Sequence, residues 1–271
     1  MPIFKRRAEA EATVTTVPQR RRRVRLPPRV SRHEVPIEGL PGHLDGLTIG
    51  HLSDVHVQRM VRPRHLDRAV ELLNELAPDL TFLTGDYVCF HPGAIPRLAL
   101  SLARLEVPHP AVAVLGNHDH WCDGPGIRRV LEDIGITVLQ NEHTHVTARG
   151  EQLLVVGVDD ARTHRADAAK AFGSAPASRH PVIALTHDPR AAVDVAAFDP
   201  ALILAGHTHG GQINLGRLTH RMAARMGHHH LEGFFEVGAR SRLFVNRGLG
   251  ASLPLRVNAP PEVALLVLRR A

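Results

Sequence analysis

The feature that most constrains this chain is a set of five short apolar runs, each followed by polar side chains beside a small residue. A short apolar run bounded by turn residues is typical of a buried strand, and glycine lets the backbone turn sharply at its end. The runs cover residues 47–52, 80–83, 111–115, 182–185 and 202–205. They lead, in that order, to Asp54 and His56, to Asp86, to Asn117, to His187, and to His207 and His209.

Segments with helical periodicity separate the first strands. Residues 65–76 place Leu66, Ala69, Val70 and Leu73 on one helical face, and residues 95–105 and 127–134 are the next predicted helices. Residues 145–147 and 153–158 predict a hairpin, and residues 243–245 and 263–268 predict further strands. The alternation of strands and helices predicts an α/β fold with parallel strands, and residues 41–271 are predicted to form a single domain.

The spacing of the polar groups fits neighbouring parallel strands. Asp54 and Asp86 are 32 residues apart, and Asp86 and Asn117 are 31 apart. A strand–helix–strand unit takes about 30 residues or more, so these three groups fit consecutive strands of one sheet. Ligands of open α/β sheets bind beyond the carboxyl ends of the strands, so we expect the polar groups to converge there.

The collected side chains have the chemistry of a metal site. Carboxylate, amide and imidazole groups without a thiolate suit Mn, Fe or Zn better than Cu(I) or an iron–sulfur cluster. Seven ligands exceed the need of one tetrahedral ion and fit two divalent ions about 3.5–4 Å apart that share a carboxylate. Such a cationic centre would attract an anionic substrate and stabilise the charge that develops in phosphoryl transfer. The predicted metal ligands are Asp54, His56, Asp86, Asn117, His187, His207 and His209.

Other polar residues have simpler interpretations. The chain holds 20 histidines, so a lone pair of them carries little information, and His228 to His230 are interpreted as a solvated turn. Ser53 and Thr208 are interpreted as turn residues and Cys122 as a loop thiol. Without a serine or cysteine in a nucleophile context, the chemistry needs no covalent enzyme intermediate.

The ordered motifs resemble the calcineurin-like metallophosphoesterase superfamily. They are Asp54-Val-His56, Gly85-Asp86, Gly116-Asn-His-Asp119, His187 and Gly206-His-Thr-His209, and the resemblance runs from about residue 45 to the end of the chain. The continuation Gly206 to Ile213, with Asn246 to Gly250, Pro254-Leu-Arg256 and Pro260-Pro-Glu262, is similar to the bacterial YaeI/YkuE-type phosphodiesterase branch. The resemblance implies a four-layer αββα sandwich of two mixed β-sheets flanked by helices.

The resemblance also implies roles for the residues that match its motifs. Asp54, His56, Asp86 and His209 would hold the first ion, and Asp86 would bridge to a second ion held by Asn117, His187 and His207. His118 would be the catalytic residue, which donates a proton to the leaving oxygen in its cationic form or stabilises the transition state. Asp119 is expected to orient its loop rather than to bind metal.

Two departures from the family pattern affect these expectations. Many phosphatases of the superfamily have an acidic residue three positions after the bridging aspartate, to orient the catalytic histidine, and here that position is Cys89. Asp119 or the pair Asp159 and Asp160 are the remaining candidates for that role. The arginine-containing continuation of the protein Ser/Thr phosphatases is also missing after Asp86, which argues against a phosphoprotein substrate.

The basic charge of the chain is concentrated at its amino terminus. Residues 1–32 hold ten Lys or Arg and two Glu, a net charge of +8, so the remainder of a chain with net charge +6 carries −2. We interpret residues 1–40 as a basic tail, disordered or extended, whose partner would be an anionic membrane surface more readily than nucleic acid. Branch members often have an anchor or export signal here. Without an apolar run of membrane-spanning length, we expect a cytoplasmic protein, with peripheral attachment to the inner membrane as the alternative.

These observations predict an enzyme. We expect a dinuclear metal-dependent phosphoesterase with two divalent ions (Mn, Fe or Zn), in which metal-bound hydroxide attacks a phosphodiester or pyrophosphate bond. The resemblance and the tail suggest a lipid-linked nucleotide sugar of lipid A synthesis, such as UDP-2,3-diacylglucosamine. A general nucleotide or phosphodiester hydrolase, or a non-catalytic metal-binding scaffold of the same fold, are the alternatives.

Overall fold

The computed structural model describes residues 27–58, 64–173, 175, 178, 180–250 and 255–271. The strands are β1 (Arg29–Ile37), β2 (Thr48–Leu52), β3 (Leu80–Thr84), β4 (Val112–Val114), β5 (Thr137–Val138), β6 (Glu142–Ala148), β7 (Glu151–Gly157), β8 (Ile183–Leu185), β9 (Leu202–Ala205), β10 (Gly233–Val237), β11 (Ser241–Val245) and β12 (Glu262–Arg270). The α-helices are α1 (Arg64–Leu76), α2 (Ile95–Leu102), α3 (Asn117–Asp133), α4 (Ala168–Gly173), α5 (Ala192–Ala196) and α6 (Arg217–Arg225).

The strands form two mixed six-stranded sheets. The first has the order β1-β12-β2-β3-β4-β5, in which only the β12–β2 pair is antiparallel. The second has the order β10-β11-β9-β8-β7-β6, with antiparallel pairs at its two edges and parallel strands between them. The predicted strands at the five apolar runs lie in the parallel part of each sheet, so their carboxyl ends point the same way.

The sheets pack face to face with helices outside both. Phe82 of the first sheet and Leu185 and Phe244 of the second are buried in one shared core. Helices α1, α2 and α3 cover the outer face of the first sheet, and α5 packs through Val195 on the outer face of the second. This arrangement confirms the predicted four-layer αββα sandwich, since each sheet buries both of its faces.

The amino-terminal segment differs in part from the prediction of a basic tail. Residues 29–37 form β1, which pairs in parallel with β12 along its whole length and buries Val35 and Ile37. This part of the predicted tail therefore belongs to the sandwich, and residues 1–26 lie outside the described residues. Within the described ranges, every helix is too short or too polar to cross a bilayer.

Helix α3 begins ten residues before the predicted start of the third helix. Gly116 is its N-cap, and the side chain of Asp119 accepts a hydrogen bond from the Gly116 backbone N–H at 2.9 Å. The apolar periodicity begins only after Pro125, because the first turns face the polar end of the sheets and Asp123 interrupts the helical backbone. The helices predicted at 65–76 and 95–105 and the hairpin at 145–158 are present as α1, α2 and β6–β7.

Candidate metal centre

Hydrogen bonds within and between the two sheets hold the carboxyl ends of the central strands together. The backbone N–H of Asp54 donates to the Gly85 carbonyl at 3.0 Å, which joins the ends of β2 and β3. The Nδ1 atom of His187, after β8, lies 2.7 Å from the carbonyl of Thr84 at the end of β3. Because a carbonyl only accepts, this Nδ1 carries a proton, and Nε2 faces the site, where it can hold a second proton or bind a cation.

Five of the predicted ligands have left-handed backbone conformations. The φ angles of Asp54, His56, Asp86, His207 and His209 lie between 48° and 71°. Aspartate and histidine tolerate this region better than most non-glycine residues, yet the conformation is strained and is concentrated at functional sites. The chain thus turns abruptly after each strand, which directs these side chains toward one another.

Glycines next to the ligands allow the loops to approach closely. A Cβ atom on Gly206 would overlap the hydroxyl of Ser53 and the carboxylate of Asp54. A Cβ atom on Gly116 would overlap the carboxylate of Asp86. Gly116 and Gly206 are therefore required by space at the site itself.

The first group of candidate ligands consists of Asp54, His56 and His209, each with a ligand atom within 4.8 Å of the others. The Nε2 atoms of His56 and His209 face each other at 3.2 Å. The Oδ1 atom of Asp54 lies 3.5 Å from His209 Nε2 and 4.0 Å from His56 Nε2.

The second group consists of Asp86, His187 and His207, also with ligand atoms within 4.8 Å of one another. Asp86 Oδ2 lies 3.3 Å from His187 Nε2, which in turn lies 3.2 Å from His207 Nδ1. The same Oδ2 atom lies 3.5 Å from His56 Nε2 of the first group, so Asp86 stands between the two groups. The structure therefore brings six of the seven predicted ligands into two adjoining sets.

Asn117, the seventh predicted ligand, begins α3 beside Asp86. The backbone N–H of the next residue, His118, donates to Asp86 Oδ1 at 2.8 Å, and this contact fixes the start of the helix against the carboxylate. The Asn117 side chain is buried, and its Oδ1 atom has no hydrogen-bond partner among the described residues.

The charges at this centre depend strongly on one another. Burial lowers the pKa of His56 to about 3 and that of His207 to about 4, so both imidazoles are neutral at pH 7. Burial also tends to lower the pKa of His187, but the Asp86 carboxylate outweighs it and raises this pKa well above its usual value. Conversely, burial tends to raise the pKa of Asp86, but His187 and the other imidazoles hold it far below its usual range. A proton on His187 thus balances negative charge that a bound cation would also balance.

The donor set fits divalent cations. Among the described residues, Asp54 Oδ1 and Asn117 Oδ1 are buried oxygen atoms that accept no hydrogen bond. Burying an anionic oxygen without a donor is costly, whereas a cation would satisfy it. Carboxylate, amide and neutral imidazole ligands are those of Mn, Fe and Zn, so the residues present fit the ions that the sequence predicted.

His118 lies beside the first group and is oriented by a backbone atom. Its Nδ1 atom is 2.9 Å from the carbonyl oxygen of Cys89, and its ring packs edge-on to that of His56 at a centroid distance of 4.8 Å. The rings of Phe90 and Trp121 flank it at 4.6 and 5.1 Å.

The three carboxylates that sequence analysis proposed as partners of His118 have other contacts. Asp119 accepts hydrogen bonds from the backbone N–H groups of Gly116, Tyr87 and Val88, so it orients the two loops as expected. Asp159 lies 2.6 Å from Nε2 of His120, and Asp160 accepts from the Thr163 backbone N–H.

Sequence reasoning missed several polar residues that support the site. Asp188 Oδ2 lies 3.7 Å from His207 Nε2 and is held by Arg190. Arg256 donates to the carbonyls of Arg247, Ala259 and Gly250, and its Nη2 atom is 3.2 Å from His209 Nδ1. Asp188 adjoins the predicted ligand His187, and Arg256 belongs to the motif Pro254-Leu-Arg256, but only the folded chain shows the contacts of these side chains.

The consecutive histidines at positions 228–230, which the sequence analysis interprets as a solvated turn, are only partly exposed to solvent. His229 is exposed, but the ring of His228 lies 5.6 Å from that of His207, and His230 packs on Phe235 at 4.6 Å. Packing against the site explains why His228 is half-buried.

Comparisons with known proteins agree with this site. The family model for calcineurin-like phosphoesterases matches residues 47–211, the stretch that carries all seven candidate ligands. YkuE of Bacillus subtilis, an uncharacterised metallophosphoesterase, is 31% identical over 88% of this chain and 85% of its own length. The phosphodiesterase YaeI of Escherichia coli is 32% identical over 80% of each chain. The chain therefore belongs to the calcineurin-like phosphoesterases, a class of hydrolases, and the predicted family is confirmed.

Two further relatives differ in length or in named substrate. A transmembrane protein with a metallophosphoesterase domain from Danio rerio is 31% identical over 90% of this chain, which spans only 58% of that relative. The UDP-2,3-diacylglucosamine pyrophosphatase LpxG of Chlamydia trachomatis is 25% identical over 83% of this chain and 84% of its own. The crystal structure of a 5'-nucleotidase precursor from Thermus thermophilus shares the fold, with a TM-score of 0.51 over 82% of this chain and 54% of that chain at 14% identity.

Proposed function

We propose that this chain is a dinuclear metal-dependent phosphodiesterase that cleaves a phosphodiester or pyrophosphate bond. The observation that carries the proposal is the position of Asp86 between two groups of ligand atoms, with its Oδ2 atom 3.5 Å from His56 of one group and 3.3 Å from His187 of the other. A carboxylate shared in this way is what a pair of adjacent divalent ions requires.

The two ions, when bound, would act as Lewis acids on water and on the phosphoryl oxygens. Asp54, His56 and His209 would hold the first, Asn117, His187 and His207 the second, and Asp86 both. The protein's own contribution is positioning: the strained loop backbones and the hydrogen bond from His187 Nδ1 to Thr84 fix the ligands before any substrate binds.

His118 is the residue we propose to exchange a proton with the leaving oxygen. Its Nδ1–H donates to the Cys89 carbonyl, which leaves Nε2 as the atom that holds or releases the second proton. The ring stands against His56 at the edge of the first ligand group, where a phosphoryl oxygen would also be bound. General acid catalysis by such a histidine contributes about 10²–10⁴-fold.

The substrate we propose is a lipid-linked nucleotide sugar of the UDP-2,3-diacylglucosamine type. It is supported by the 25% identity to LpxG, a pyrophosphatase named for that compound. A general phosphodiester substrate is the second candidate, and the similarity to the phosphodiesterase YaeI favours it.

Metal analysis and one model substrate test the reaction class. The purified chain should bind two divalent ions and hydrolyse bis-p-nitrophenyl phosphate when Mn²⁺ is added, and His118→Ala should reduce kcat by about 10²-fold or more. UDP-2,3-diacylglucosamine and simple nucleotide diesters, assayed side by side, separate the two substrate proposals through kcat/KM. A protein that binds two ions but hydrolyses none of these compounds, and that is unaffected by His118→Ala, is a scaffold instead.

A further inference from the structure

Helix α6 carries an exposed apolar stripe beside a row of arginines. The pairs Arg217-Leu218, Arg221-Met222 and Arg225-Met226 recur every four residues, so they form two parallel rows on the helix. The side chains of Leu218, Met222 and Met226 are 56%, 57% and 70% exposed. Only Ala223 of this helix is buried, and it follows Met222 directly, so the side of the helix that faces the domain borders the apolar stripe.

The stripe continues onto the neighbouring loops. Leu215 and Ile213, just before the helix, are 58% and 42% exposed, and Leu255 is 56% exposed. A backbone hydrogen bond from Val257 to Gln212, with the bridge between Ile213 and Val257, brings these loops together. We call the six residues the α6 surface; they are Ile213, Leu215, Leu218, Met222, Met226 and Leu255. A patch of large apolar side chains that are exposed to solvent is typical of an interaction site.

The charge around the α6 surface has one sign. Residues 213–231 contain three arginines, four histidines and no acidic residue. The next acidic residue, Glu232, is directed inward, where it accepts a hydrogen bond from Asn214 and pairs with Arg247. An amphipathic helix with arginines along a stripe of Leu and Met, and with no acidic residues, has the pattern of helices that lie in the interface of an anionic bilayer.

The α6 surface is attached directly to the candidate metal centre. The turn His209–Gly211 precedes it, and the hydroxyl of Thr219 donates to the Ile213 carbonyl at 3.0 Å. At the other end of the helix, the backbone N–H of His228 donates to the Ala223 carbonyl at 2.9 Å while its ring lies 5.6 Å from that of His207. A partner bound to α6 would therefore lie next to the ligand histidines.

From these contacts we propose that the α6 surface docks on anionic phospholipid membranes, with Leu218, Met222 and Met226 among the acyl chains and the arginines at the phosphate groups. The arginine stems are long enough to place their guanidinium groups in the headgroup layer while the apolar side chains insert more deeply. This contact is independent of residues 1–32 and of the reaction that the metal centre catalyses.

Vesicle sedimentation of the full chain tests the proposal. The protein should bind vesicles of phosphatidylcholine and phosphatidylglycerol, and the double variant Leu218→Glu, Met222→Glu should bind at least about tenfold more weakly. The matched control is Leu100→Glu, Val193→Glu, which adds the same charge at two apolar side chains that are 73% and 67% exposed on α2 and α5. The control should bind as the natural chain does.

A second variant tests the charge. Arg217, Arg221 and Arg225 changed together to Gln should weaken binding to the anionic vesicles about 100-fold, since each basic residue near such a surface contributes about fivefold. Unchanged hydrolysis of bis-p-nitrophenyl phosphate and an unchanged CD spectrum would show that these variants are folded.

Two results would overturn the proposal. Binding that is equal in the α6 double variant and the natural chain would assign the membrane contact to residues 1–32 or to another surface. If the α6 double variant and the natural chain bind vesicles equally but sediment differently when no vesicles are present, the α6 surface would instead be a contact between two copies of the chain.

Discussion

The Nδ1 atom of His118 lies 2.9 Å from the backbone carbonyl oxygen of Cys89, the residue three positions after Asp86. A carbonyl oxygen accepts the Nδ1 proton and fixes the tautomer as a carboxylate would, but it brings no negative charge to the imidazole. The loop after β3 thus orients the candidate catalytic residue through the backbone carbonyl of Cys89.

This contact predicts that Cys89→Ala preserves activity. The carbonyl remains in place after the substitution, so kcat for bis-p-nitrophenyl phosphate should stay close to that of the natural chain, while His118→Ala loses about 10²-fold or more. Steady-state kinetics of the two variants at equal metal content measures the difference. A large loss of kcat in Cys89→Ala, with unchanged thermal stability, would mean that the thiol itself takes part.

The site was more predictable from the sequence than the sheet edges were. The ends of β2, β3, β4, β8 and β9 could be located because a buried apolar run followed by Gly, Asp, Asn or His is a local signal. Strand β1 gave no such signal, since its burial depends on pairing with β12, more than 200 residues away, and its own sequence is rich in exposed Arg and Glu. Local patterning cannot report a partner so distant in the chain.

The supporting contacts were unpredictable for a related reason. Arg256 is held by three carbonyls that belong to different turns of the carboxy-terminal loop, and the ion pair of Arg247 with Glu262 joins that loop to β12. The partners of Arg256 and Arg247 can be identified only when the path of the loop is known. The motif Asn246 to Gly250 is visible in the sequence. Its role is clear only from the structure, in which the backbone N–H of Gly250 donates to the Asp54 carbonyl.

Asp86→Asn should remove most of the activity by weakening the binding of both ions. The amide keeps the volume of the side chain but loses the negative charge that the two ligand groups share, and metal Lewis-acid catalysis contributes several kcal/mol. We expect kcat to fall by about 10³-fold and the bound metal, measured by inductively coupled plasma mass spectrometry, to fall below two ions per chain. Asp79→Asn makes the same chemical change at the opposite end of β3 and should retain both ions.

Glu262→Gln should loosen the loop that supports Asp54. Glu262 is buried, accepts the Arg247 backbone N–H at 2.9 Å and pairs with its guanidinium at 2.8 Å. The backbone N–H of Glu262 also donates to the carbonyl of Gly248, whose Cα lies against Asp54. Removing one partner of a fully buried ion pair costs about 3–5 kcal/mol; the cost here should be smaller, because Arg247 is 25% exposed and the amide keeps one hydrogen bond. Urea unfolding should show the loss of stability, and weaker metal binding should accompany it; full metal affinity in the variant would contradict this coupling.

Asp79→Asn should destabilise the fold at neutral pH but not in acid. The Asp79 carboxylate accepts from the backbone N–H and hydroxyl of Thr48, both at 2.7 Å, and from Arg149 at 3.1 Å. Burial tends to raise the pKa of Asp79, but these donors outweigh it and lower the pKa. A lowered pKa adds stability that is present above the unfolded value of about 3.9 and is lost as the pH falls through the folded value. The variant should therefore lose about 1–2 kcal/mol at pH 7, and this difference should shrink as the pH falls below about 3.9 and through the lower folded value.

Metal binding should raise the melting temperature through the same groups that would perform catalysis. A ligand at 100 times its Kd stabilises the folded state by about 2.7 kcal/mol, which in a chain of this size is a shift of about 5–10 °C. The carboxylates of Asp54 and Asp86 are buried in the two ligand groups, and bound ions would balance their charge, so a chelator should lower the melting temperature of the natural chain. Calorimetry with Mn²⁺ and with EDTA measures the shift, and in Asp86→Asn it should shrink by more than half. A natural chain whose melting temperature is the same with Mn²⁺ and with EDTA would argue that the two ligand groups do not hold this ion.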